Sequence, residues 1–299
     1  MTNTKVTYNA DKDAWTYSPL KYWPNNTGEK VSFFAYAPCE LPAGSSLSDY
    51  YNIKFTVAND VKDQVDLIYN NQANNSTINQ TKPAVGNLIT FKFEHALSRI
   101  GLSVQVVVDG TETDPALQQY KLDGNTRINV KKVMLVDGTA ADETFDPANT
   151  TTGPFYTSGT LSMMDGTWSD TDGTQYFTFG SEHFYRTVTD NGEEVVQLTK
   201  FNQSQTLLNE DSYLMIIPTE NTSFKIYIEY DVITEEEDGT ETTINNCILS
   251  KNPLSVDFEQ GYAYNFNLVL GMTSVQFDVE EVAEWNTTCL LYTSPSPRD

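Results

Sequence analysis

Residues 224–232 read Phe-Lys-Ile-Tyr-Ile-Glu-Tyr-Asp-Val. Phe224, Ile226, Ile228, Tyr230 and Val232 are apolar, and Lys225, Tyr227, Glu229 and Asp231 stand between them. Strand side chains alternate between two faces, so this period of two puts five apolar groups on one side. A helix would place them three and four residues apart. The stretch predicts a half-buried strand, and the same period recurs outward along the chain. Tyr262, Tyr264, Phe266, Leu268 and Leu270 repeat it after Gly261, and Val275, Phe277 and Val279 after Gly271. Val31, Phe33, Ala35 and Ala37 form another run, and Ile53, Phe55 and Val57 a shorter one. No long helical period appears, so the fold class expected is all-β.

Turn signals separate the runs. Asp-Gly occurs at 109–110, 123–124, 137–138, 165–166, 172–173 and 238–239, and Asn-Gly at 191–192. Both pairs tolerate the positive φ of tight hairpin turns. The acidic run Glu235-Glu236-Glu237-Asp238-Gly239 then predicts a solvated tip between strands at 224–233 and 244–249. One segment changes phase: Ile89, Phe91 and Phe93 are apolar at odd positions, Ile100, Leu102, Val104, Val106 and Val108 at even ones. A continuous strand cannot switch faces without an extra residue, so a bulge or short helical turn is expected near 95–98. The polar stretch 109–127 holds two Asp-Gly pairs and Pro115. It divides the chain into an N-terminal sandwich at 1–112, a linker at 113–127 and a C-terminal sandwich at 128–288.

The chain has 299 residues, 18 Lys+Arg against 41 Asp+Glu, and a formal net charge of −23. That charge argues against nucleic acid as a partner, since phosphate binding needs clustered cations. It also disfavours an anionic membrane surface. With 39% hydrophobic and 12% aromatic residues, the chain can build a core. Three cysteines, Cys39, Cys247 and Cys289, make no disulfide framework. No apolar run reaches the roughly 20 residues of a membrane-spanning helix, and residues 1–13 lack the apolar stretch of a secretion signal.

Catalytic constellations are sparse. The carboxylates could supply a glycosidase pair, but no local signature singles one out, and solvated strand faces explain them. A Ser-His-Asp arrangement would have to use His95 or His183. His95 falls at the phase change, where a hydrogen-bonded structural imidazole is expected; His183 sits among aromatics in a loop. Residues 165–173, Asp-Gly-Thr-Trp-Ser-Asp-Thr-Asp-Gly, have the oxygen density of a calcium loop without its twelve-residue spacing or closing Glu. They read as tandem turns. No metal, cofactor or catalytic residue is expected. Trp15, Trp23 and Trp168 lie in polar contexts and leave a sugar-stacking surface open.

Four phrases, taken in order, carry a resemblance. They are Tyr22-Trp23-Pro24-Asn25, then Val31-Ser32-Phe33-Phe34-Ala35-Tyr36-Ala37-Pro38, then Phe91-Lys92-Phe93-Glu94-His95-Ala96-Leu97-Ser98-Arg99-Ile100. The last is Gly261-Tyr262-Ala263-Tyr264-Asn265-Phe266 with Val282 and Trp285 behind it. Together they resemble the fimbrillin family of Bacteroidales surface proteins over most of the chain. The resemblance implies two tandem transthyretin-like, Greek-key β-sandwiches, the first of them incomplete here. It implies a lipoprotein of the outer membrane built into fimbriae. It also implies assembly by strand exchange, in which a groove opened by proteolysis takes a strand from the next fimbrillin subunit. On that basis residues 273–285 would be the donor-type strand, with Val275, Phe277 and Val279 as inward plugs and Val282 and Trp285 completing it. The same residues could instead be the ordinary last strand of the second sandwich. A carbohydrate-binding surface module and a β-sandwich glycosidase are the alternatives, and a surface glycan or protein a further partner.

Residues 289–299, Cys-Leu-Leu-Tyr-Thr-Ser-Pro-Ser-Pro-Arg-Asp, resemble the translation of a sequencing adapter and are expected to be non-native. The family pattern implies a lipoprotein signal and early strands ahead of the Tyr22–Asn25 phrase. Without them the first sandwich would present an open apolar edge.

Overall fold

The computed structural model describes residues 3–11, 13–19, 22–24, 26, 28–82, 89–107, 125–200, 203–209, 212–271 and 275–285. Among them, strands β1 (Val6–Asn9) and β2 (Ala14–Tyr17) form a hairpin. Short pieces follow: β3 (Tyr36–Ala37), β4 (Ser46–Leu47), β5 (Asn52–Thr56), β6 (Ile68–Asn70) and β7 (Phe93–His95). β8 (Ser98–Val106) and β9 (Thr126–Asp137) are longer. Next come β10 (Ser158–Ser162), β11 (Trp168–Asp172), β12 (Phe177–Phe179), β13 (Val188–Asp190), β14 (Glu193–Leu198), β15 (Gln205–Thr206) and β16 (Leu214–Ile216). The last strands described are β17 (Thr219–Glu235), β18 (Glu241–Leu249), β19 (Leu254–Phe258), β20 (Tyr262–Leu270) and β21 (Val275–Glu284). The helical segments described are single 3-10 turns at Val61–Asp63 and Ser181–His183. The all-β expectation stands.

The largest sheet runs β13-β14-β9-β17-β18, with β12 also on β9 and β19 on β17. A second runs β15-β8-β20-β21, with β16 on β8. Smaller sheets are β11-β10-β5-β4, β3-β6-β7 and the β1-β2 hairpin. β8 and β20 pair in parallel, while the other strand pairs are antiparallel. The turn chemistry is where the sequence put it. Asn191 and Gly192 adopt φ of 49° and 85° between β13 and β14, Gly166 turns β10 into β11, and Gly239 turns β17 into β18.

Phe224, Ile226, Ile228, Tyr230 and Val232 of β17 all face the main core and are buried. Phe266, Leu268 and Leu270 of β20 meet them, with Ile128, Val130, Val133 and Leu135 of β9. Phe224 is the hub, its ring lying 5.4 to 6.2 Å from those of Phe266, Phe277, Phe155 and Phe258. Burial of such a side chain contributes about 1.5–3 kcal/mol. The same cluster runs on through Ile53 and Phe55 of β5 and Leu161 of β10. On the other face of the large sheet, Tyr227 and Leu249 join Met134 and Val136 under Phe145.

Three expectations need correction or detail. The run at 31–37 is not one strand: Val31 makes a lone bridge to Gln80, and only Tyr36–Ala37 pairs, with β6. Residues 165–173 are not tandem turns but one turn followed by β11, which returns beside β10. The phase change is realised as a change of sheet, β7 leaving the three-stranded sheet and β8 entering another, with Ala96 and Leu97 buried at the crossing. Most of the expected linker, at 113–124, and the tail at 289–299 lie outside the described residues. On either side of that linker the chain shares sheets: β5 pairs with β10, and β8 with β15, β16 and β20.

Candidate functional site

The expected donor-type residues fall on β21 and just past it; residues 273 and 274 lie outside the described residues. Val275, Phe277 and Val279 stand opposite Leu270, Leu268 and Phe266 of β20. Cross-strand partners share a face, so all three point at the core, and Phe277 reaches the ring of Phe224 at 5.9 Å. The register then slips: Phe266 pairs with Val279 but Asn265 pairs with Glu281, leaving residue 280 as a bulge. The bulge reverses the phase, so Val282 stands opposite Tyr264, although it remains 50% exposed. β21 is the outermost strand of its sheet and pairs with β20 of the same chain.

Trp285 follows the strand. Its backbone N–H donates to the Gly261 carbonyl at 2.6 Å, and Gly261 donates to the Leu97 carbonyl at 3.0 Å. The indole stacks on the His95 imidazole with ring centres 4.1 Å apart and planes 9° from parallel. The Arg99 guanidinium lies 5.7 Å from the indole centre and 3.5 Å over the Tyr213 ring. His95 Nδ1 is 2.7 Å from Asp66 Oδ2. A carboxylate can only accept, so Nδ1 carries the hydrogen, and that bond fixes the ring plane. Asp66 Oδ1 is buried and has no hydrogen-bond partner among the described residues. Gly101, two residues beyond Arg99 on the same face of β8, makes room for Tyr213. A Cβ there would come within 2.8 Å of the tyrosine ring and 2.9 Å of Asn265 Oδ1.

The structural role expected of His95 therefore holds, but its pairing with Trp285 was not foreseen. Nor were Asp66, Arg99 and Tyr213. The signal available was a Trp in a polar context and a Gly inside an apolar run.

The other candidates resolve into structure. His183 lies in its 3-10 turn with Nδ1 accepting from the Gly180 N–H at 3.2 Å; Glu182 and Asp60 flank opposite ring nitrogens at 3.4 and 3.7 Å. Trp168 donates from Nε1 to the Ala96 carbonyl at 3.0 Å and packs on the core. Trp23 sets its ring edge to face against Phe33 at 5.5 Å. Trp15 is 55% exposed, with Tyr8 at 5.6 Å on the β1-β2 hairpin. A cleft of about 260 Å³ on the large sheet is lined by Asn129, Lys131, Asp190, Asp231 and Asn245. Its polar groups bond one another: Lys131 reaches Asp231 at 3.0 Å, and Asn245 donates to Asp231 at 2.8 Å. Among the described residues, no three His, Cys, Asp or Glu side chains converge as metal ligands, and no helix is long and apolar enough to cross a membrane.

Comparison with known proteins follows the same line. A family model described as fimbrillin-like matches residues 1–285. A fimbrial protein from Bacteroides vulgatus superposes with a TM-score of 0.70 at 22% identity, over 96% of this chain and 86% of that one. That likeness supports the fold. A protein assigned to cell adhesion from Bacteroides ovatus gives a TM-score of 0.43 at 13% identity, over 91% of this chain and 76% of the other. No curated protein matches the chain.

Proposed function

The chain belongs to the fimbrillin-like family, and from that premise we propose that it is a cell-surface subunit of fimbriae, structural or adhesive, that joins its neighbours by strand exchange. The observation that carries this reading is the seat of β21. It is an edge strand, and it buries Val275, Phe277 and Val279 against β20 and Phe224. Removing it would leave the outer edge groups of β20 unpaired and Phe266 and Leu268 uncovered. Such a groove accepts an extended strand with apolar groups at alternate positions, which a second copy carries. Catalysis has no part in this role. A lipid anchor and export to the outer membrane belong to the same proposal.

A disulfide tests it. Val269 and Gln276 stand opposite each other on β20 and β21. Val269→Cys/Gln276→Cys, with Cys39, Cys247 and Cys289 replaced by serine, would clasp the strand to its own sheet when oxidised. Reduced protein should assemble into higher-mass particles by light scattering, and oxidised protein should stay monomeric. Equal assembly in both states would remove β21 from the mechanism.

A second reading, carbohydrate binding by ring stacking, is favoured by Trp15. It is the exposed tryptophan, whereas Trp23 and Trp168 are engaged in packing. Glycan-array binding that disappears in Trp15→Ala would support it, and an array without signal would end it.

A further inference from the structure

The apolar pattern of β21 does not define its own register. Val275, Phe277 and Val279 repeat every two residues, so a slip of two keeps apolar groups facing the core. An end-stop is needed, and the chain has one. Tyr213, Arg99, Trp285 and His95 form a single pile of planar groups, braced at its far end by Asp66. With Asp66 they come from four stretches of chain, at residues 66, 95–99, 213 and 285. A slip of two residues would carry Trp285 about 7 Å along the strand, well beyond its 4.1 Å contact with His95.

We infer that Asp66, His95, Arg99 and Tyr213 form a receptor for an indole ring, which fixes the register of the strand lying against β20. In a single chain that strand is β21. On the strand-exchange reading above, on which this step rests, the partner is the same strand of a second copy, selected by its terminal tryptophan. The chemistry suits an indole. Trp offers the largest π face for a guanidinium and is the best cation partner among the aromatic residues. The imidazole held flat by Asp66 supplies a parallel stacking surface. Gly101 keeps Tyr213 lying on the strand under Arg99. The bulge at residue 280 resets the phase of the chain just before Trp285.

Hydrogen exchange on the full chain reads the receptor directly. In Trp285→Ala and Arg99→Gln the amides of β21 should exchange about tenfold faster than in the unaltered chain, the scale of one stacking or cation–π contact. Trp285→Phe should fall between, and β17 amides should keep their protection, which shows the fold is intact. Unchanged β21 protection in both Trp285→Ala and Arg99→Gln overturns the receptor, whatever assembly does. Mixing two differently tagged copies reads selection: Trp285→Ala should be taken up at least tenfold more slowly by unaltered protein, and equal uptake overturns selection by the indole. Faster exchange of β21 together with oxidised Val269→Cys/Gln276→Cys protein that still assembles would uphold the receptor and sink strand exchange instead.

Discussion

Arg127 lies on β9 and ties three strands together on the solvent side of the large sheet. Its Nε and Nη2 donate to Asp190 at 2.6 and 3.0 Å, and Nη2 also to Glu241 at 2.8 Å. Asp190 receives further bonds from Asn129 at 2.6 Å and Gln197 at 3.3 Å. Both members are more than four-fifths buried, with side chains 18% and 16% exposed. Breaking such a pair from one side strands the other, so Asp190→Ala should cost about 2–3 kcal/mol in urea unfolding. The Arg127 hydrogen bond, ahead of every other influence, holds the Asp190 carboxyl below its ordinary pKa. A depressed folded pKa gives stability that is complete above the unfolded value, about 3.9, and is lost as pH falls through the folded one. The stability gap between the unaltered chain and Asp190→Asn should therefore be widest above about pH 4 and shrink below it. A gap that stays constant down to strongly acid pH would mean the carboxylate charge contributes nothing.

At the scale of elements, the bulge in β21 separates two uses of one strand. Residues up to Val279 fill the core, and those beyond bring Trp285 to His95. Inserting one alanine after Glu280 would move every later residue one place along the ladder and turn Val282 and Trp285 to the opposite faces. We expect such a variant to lose about 2 kcal/mol, within the usual range for one disrupted contact set, and its tryptophan emission to change as the indole leaves the imidazole. A melting curve and spectrum identical to those of the full chain would show that the bulge is idle. The periodicity of residues 224–232 and 262–270 was legible because β17 and β20 are central strands, buried on a continuous face. The run at 31–37 alternates equally well yet pairs at only a few points. Alternation records burial, not hydrogen bonding. In β21 the alternation up to Val279 was readable, but an unpaired residue leaves no mark in a hydropathy pattern. The indole seat was hidden for another reason: residues 66, 95, 99, 213 and 285 meet only after the three-stranded sheet and the sheet of β8, β20 and β21 have come together. No local spacing encodes such a meeting.

At the scale of the whole molecule, the division at 113–127 is a statement about which parts can separate. The pairing argues that they hold together. Eight parallel pairs join β8 to β20 across that segment, from Arg99–Ala263 to Val106–Leu270. Five antiparallel pairs join β5 to β10. One apolar cluster runs through Ile53, Leu102, Ile228 and Phe266 alike. A chain cut within the expected linker would have to expose Leu102, Val104 and Val106 to let its halves part, and each buried aliphatic side chain resists by about 1.5–3 kcal/mol. The acidic charge pulls the other way. At −23 the chain repels itself, and that repulsion reaches about 30 Å at 0.01 M salt but only about 8 Å at 0.15 M. A protease site inserted between residues 113 and 124 separates these terms. The nicked protein should migrate as one particle on size exclusion at both salt concentrations, its two pieces appearing only in denaturant. Two folded fragments emerging in native buffer would establish independent sandwiches at 1–112 and 128–288. Separation at low salt alone would instead mean that charge repulsion outweighs the shared β8–β20 ladder.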